Sequence, residues 1–173
     1  MILISEKKQV LYDLRMAYNG PFSAEDFYKE VDDWAKENGF EKEHKRKMEH
    51  VTKDGKKIEW LTEIHSHLDD YHHGDVVLRA QMDNVKEIII KKDGKKYKIN
   101  NGDVHILVEC FISAHLHGTY WQSRPVLRFF RTLIDRFIYS YWSDRYDGVV
   151  NMQGRELFKR IQSFFKLQKF KYG

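Results

Sequence analysis

The sequence predicts one α+β domain, a curved antiparallel sheet of about seven strands packed on C-terminal helices. Three observations carry this. Apolar and polar residues alternate in several stretches up to residue 117, the period of half-buried strands. Asp54-Gly55, Asp93-Gly94 and Asn101-Gly102 fall between those stretches, where tight hairpin turns belong. Beyond Pro125 the apolar spacing changes to that of an amphipathic helix.

The 173 residues suit a single domain with a core of its own. With 11 Phe, 10 Tyr and 4 Trp the chain has the aromatic content that disordered proteins lack. No apolar run reaches the roughly 18 residues of a membrane span. Met1 to Lys8 carries a short apolar patch and then charge, without a signal-peptide core. The single Cys110 has no internal partner, as expected of a reducing compartment. Together these predict a cytoplasmic protein. The net charge of +4 is too small to decide for or against a polyanionic partner.

The first predicted strand is Gln9 to Tyr18, with Val10, Tyr12, Leu14 and Met16 inward and Gln9, Asp13 and Arg15 outward. Asn19-Gly20-Pro21 ends it. Ser23 caps a helix with Asp26 three residues on, and Phe22 and Phe27 are placed to staple its entry. Phe27, Val31 and Trp34 form its apolar stripe, and Gly39 stops it. Strands follow over 43–52, 57–68, 75–82, 85–92, 95–100 and 103–117. In 57–68 the apolar set is Ile58, Trp60, Ile64 and Leu68. In 103–117 it is Val104, Ile106, Val108, Cys110, Ile112, Ala114 and Leu116. His105, Leu107, Glu109, Phe111, Ser113, His115 and His117 take the other face. Pro125 suits the first turn of a helix. Leu127, Phe130, Leu133, Ile134, Phe137 and Tyr141 form its apolar arc, with Arg124, Arg128, Arg131 and Asp135 opposite. Asp147-Gly148 predicts a break. A second helix over 149–168 then carries Leu157, Ile161, Phe164 and Phe165, an extra docked element.

This order of elements resembles the START-like or helix-grip superfamily, polyketide-cyclase-like binders of lipids and small ligands. In that family a long antiparallel sheet curls around a C-terminal helix, often with an apolar cavity between them. The resemblance implies ligand-binding walls from Trp60, Met82 and Cys110 on the sheet and Phe130, Ile134 and Phe137 on the helix. The sequence departs from the pattern at two points. Gly39 to Glu43 leaves little room for a second helix after the first strand, and Asp147-Gly148 interrupts the C-terminal one.

No catalytic or cofactor motif stands out, and no cofactor is implied. Cys110 occupies an inward position, no serine sits in a nucleophile elbow, and the glycines lie at turns rather than in a phosphate loop. Among the nine histidines, His65-Ser66-His67 and His115-Leu116-His117 each put two imidazoles on one strand face, where they are candidate metal ligands. Glu63 and Glu109 are the nearest carboxylates, and His72-His73 makes a third cluster. Lysines crowd the turns, with Lys53, Lys56 and Lys57 at one and Lys92, Lys95 and Lys96 at another. They are candidate contacts to nucleic acid phosphates, or devices that keep sheet edges soluble. The 124–145 segment interleaves arginine with aromatics, as protein-binding surfaces do, and Tyr139 and Trp142 fall toward its polar side.

The expected function is a non-enzymatic binding domain for an apolar small molecule or a macromolecular partner. The alternatives are a basic protein associated with RNA or the ribosome, and a metal-dependent enzyme built on the histidine pairs.

Overall fold

The computed structural model describes residues 5–70, 72–115 and 125–173, and the side chains of 7–70, 72–114 and 144–173. The elements run β1 (Ser5–Phe22), α1 (Ala24–Glu37), β2 (Glu41–Thr52), β3 (Gly55–His67), β4 (His72–Lys92), β5 (Lys95–His115) and α2 (Pro125–Tyr172). The strands form one open antiparallel sheet in the order β1-β5-β4-β3-β2. An α+β chain with such a sheet and a long C-terminal helix is compatible with a helix-grip-like fold.

The sheet has five strands, not about seven, because two expected boundaries are irregularities within longer strands. The stretches 75–82 and 85–92 are one strand, β4. Its register slips between Asp83 and Lys86, where Asn84 takes a left-handed φ of 55°. The slip absorbs an extra residue as a bulge and lets the strand continue. Asn101-Gly102 is likewise no turn. Both residues pair inside β5, with Pro21 and Gly20 of β1 on one side. Gly102 is needed there for close approach, since a Cβ would lie 2.8 Å from the Asp83 carbonyl oxygen. The two Asp-Gly turns stand where the sequence puts them, at β2–β3 and β4–β5.

In β1 the expected alternation fails only around Tyr12, since Val10, Leu14 and Met16 all pack against the core. Register shifts around Leu11, with Asp13 at φ 46°, invert the local facing. Leu11 is therefore buried, and Tyr12, expected inward, is 66% exposed. In β3 and β5 parity works. Ile58, Trp60 and Ile64, and Val104 through Ala114 at even positions, face the core.

Ser23 caps α1 by accepting a hydrogen bond from the Asp26 amide at 3.2 Å. Phe27, Val31, Trp34 and Ala35 are its buried stripe. Phe22 and Phe27 both reach Phe165 of α2, with ring centroids 6.0 and 5.4 Å away, so the entry to α1 is pinned on α2.

The predicted break at Asp147-Gly148 does not occur: α2 is one helix of 48 residues, and 149–168 is part of it rather than a separate docked helix. A glycine inside a helix costs only about 1 kcal/mol relative to alanine. That is small beside burying Val150, Leu157, Ile161 and Phe165 against the sheet. Lys8 of β1 ties the same turn down, its ammonium 2.8 Å from both Asp144 and Asp147. Among the described residues no helix is long and apolar enough to cross a membrane.

Candidate functional site

The sheet has two unlike faces, and the expected site residues divide between them. On the inner face Trp60, Met82 and Cys110 are all core members. Trp60 meets Phe27 and Tyr28 at ring centroids of 5.6 and 4.7 Å, and its Nε1–H donates to His44 Nδ1 at 3.3 Å. That bond needs the neutral ring, and burial accordingly lowers the His44 pKa. Cys110 lies under α2, where Gly154 comes so close that a Cβ would collide with its Sγ. Burial pushes the thiol up to about 12, which leaves it unreactive. Phe130, Ile134 and Phe137, the expected helix-side walls, lie outside the described side chains, as do Arg128, Arg131, Tyr139 and Trp142.

The outer face, away from α2, carries a trough of about 690 Å3 that crosses every strand of the sheet. Its axis is one cross-strand row. Arg15 pairs with Leu107, Leu107 with Arg79, Arg79 with Leu61, and Leu61 with Arg46. Paired residues share a face, so three arginines alternate with two leucines from one edge of the sheet to the other. The next row along supplies Ala17, His105, Gln81 and Glu59 to the same trough.

The arginines are weakly engaged. Arg15 meets Asp13 at 3.0 Å with both side chains more than half exposed, and Arg46 stands 3.9 Å from Glu59. Such exposed pairs contribute at most about 1 kcal/mol and are readily exchanged for a ligand. The central Arg79 is exposed and, among the described residues, makes no hydrogen bond or ion pair. Leu61 and Leu107 are half-buried between the arginines and give the trough an apolar floor.

One end of the outer face holds a polar cluster. Asp75 is 4% exposed and takes the Ser113 hydroxyl on one oxygen and His65 Nδ1, at 2.7 Å, on the other. Burial alone would raise the Asp75 pKa, but the hydrogen bonds from His65 and Ser113 outweigh it and the net shift is downward. An ionised carboxylate only accepts, so Nδ1 carries the proton. His65 is shifted upward, chiefly by the same hydrogen bond. Its Nε2 lies 3.4 Å from Glu43.

Glu43, Glu63 and His65 bring three metal-ligating atoms within 4.8 Å of one another. The two glutamates already have a cation, since the Lys45 ammonium is 2.7 Å from Glu43 and 3.6 Å from Glu63. His67 is not in this group; its ring sits beside His73, 5.2 Å away. The second histidine pair lies apart from the first, because β4 separates β3 from β5. The His115 side chain and His117 lie outside the described residues.

The lysine turns share one end of the sheet. Lys53 to Lys57 sit at the β2–β3 turn, level with Val85 of β4 through the Lys56–Val85 pair. Beyond the Glu87–Asn100 pair, where β1 ends, β4 and β5 continue as a two-stranded arm to Lys92 and Lys95. Lys57 is near Glu59 and Asp83, and Lys92 donates to the Lys171 carbonyl of α2 at 2.8 Å. The six lysines are thus spread over a turn and an arm rather than gathered in one groove.

The arginine row escapes a reading of the sequence because Arg15, Arg46 and Arg79 sit in three different strands. Alternation shows that Arg15 and Leu107 point outward. It does not show that bulges in β1 and β2 bring them into one line. No protein-family profile matches the chain, and no curated protein is significantly similar to it.

Proposed function

We propose that this chain is a non-catalytic binding domain that holds an extended anionic ligand in the trough across the open face of its sheet. The observation that carries the reading is the row Arg15–Leu107–Arg79–Leu61–Arg46, whose central arginine is exposed and makes no hydrogen bond or ion pair among the described residues. Guanidinium groups on a concave surface with an apolar floor suit a ligand bearing both anionic groups and apolar contacts. The START-like resemblance would put a ligand between sheet and α2. The trough supports the opposite face, since Trp60, Met82 and Cys110 belong to the packed core. A cytoplasmic setting belongs to the same proposal and rests on the lone buried thiol of Cys110.

Binding of fluorescent inorganic polyphosphate, followed by anisotropy, tests this. The chain should bind it with a salt-dependent affinity. Arg79→Ala should weaken that affinity about tenfold, the scale of one well-placed charged contact. Equal binding by Arg79→Ala, at every salt concentration tried, would remove the trough from consideration.

A further inference from the structure

We infer that the ligand of the trough is an acidic amphipathic α-helix lying across the strands. The inference rests on the trough being an anion site and goes further, to the form of the anion. Each step along the row is one inter-strand spacing of about 4.8 Å, so successive arginines stand about 10 Å apart. The row alternates charge and apolar surface over five positions, from Arg15 through Leu107, Arg79 and Leu61 to Arg46. An occupant must present acid, apolar, acid, apolar, acid at close to that pitch.

An α-helix does so when acids recur every two turns with apolar residues on the turns between, because one turn advances about 5.4 Å. Over the four steps of the row the two pitches diverge by only about 2 Å, which the long, exposed arginine side chains absorb. An extended acidic peptide shows same-face side chains about every 6.6 Å and falls out of phase within two steps. A single-stranded polynucleotide would be held by bases stacked on aromatic faces. Among the described residues lining the trough the aromatic rings are Trp60, buried on the opposite face of the sheet, and the single imidazole of His105, which is one platform rather than a series. In a helix complex Leu61 and Leu107 meet apolar side chains, as in helix-in-groove recognition.

The test uses the full chain and two synthetic helical peptides of identical composition, about 18 residues long, a little more than the helical length the row spans. One carries glutamate and leucine in the phase described, and the other has the leucines moved to the opposite helix face. The phased peptide should bind at least tenfold tighter than its permuted isomer. Arg79→Glu should abolish that difference, and a phased peptide with lysine replacing the central glutamate should bind Arg79→Glu better than it binds the unmodified chain. The lysine rescue shows that the variant is folded. Equal binding of the two isomers would overturn the helix inference while leaving the anion site standing. So would tighter binding of oligo-uridine of matched charge, which would make the ligand a polynucleotide. Failure of all these probes, polyphosphate included, would overturn the anion site itself.

Discussion

A carboxylate buried on the open side of a sheet needs cations or hydrogen-bond donors nearby, and Asp75 draws on His65, the neutral Ser113 hydroxyl and a more distant Lys7 at 3.9 Å. The pair has a definite pH signature. His65 is shifted up, so its contribution is complete below its ordinary pKa of about 6.5 and is lost as pH rises through the higher folded value. Asp75 is shifted down, so its contribution is present above about 3.9 and lost as pH falls through its lower folded value. Melting temperature should therefore decline as pH rises above about 6.5 and through the higher folded value of His65, and Asp75→Asn should flatten that decline. An unchanged slope in the variant would show that His65 is not held this way. The sequence makes His65 legible as an outward histidine beside Glu63. It conceals Asp75, two strand positions after His73, because only the β3–β4 register sets it opposite His65.

At the level of elements, strand parity and the Asp-Gly turns were readable. The strand count and the helix break were not, and in each case a longer-range contact overrides a local signal. Gly148 shows how. It reads as a stop, yet nothing lies within 4 Å of where its Cβ would be, and the helix passes through it. Gly148→Ala should therefore stabilise the chain by about 0.5–1 kcal/mol in urea unfolding, whereas a true break would make it destabilising. Gly154, six residues on, should respond oppositely. Its Cβ would meet Cys110 Sγ and, at 2.8 Å, Leu11. Overpacking of this kind costs about 1–3 kcal/mol, against about 1 kcal/mol gained in helix propensity, so Gly154→Ala should be net destabilising. Adding Cys110→Ala should recover part of the loss. If the double variant is simply the sum of the two singles, α2 does not contact β5 at this point.

Across the whole molecule, the α+β class and a core between sheet and C-terminal helix follow from periodicity alone. The outer face does not, because its character comes from residues far apart in sequence meeting in register. The sheet order has a further consequence. The first strand lies beside the last, and α2, the last element in the chain, covers the inner face. Pairings of this kind close long loops and form slowly. During synthesis β1 has no neighbour until β5 has been made, and the aromatic cluster around Phe22, Phe27 and Phe165 is incomplete until residue 165 has emerged. The nascent sheet is thus an apolar surface waiting for its lid, and this fold is complete only after Phe165 and its turn of α2 have left the ribosome.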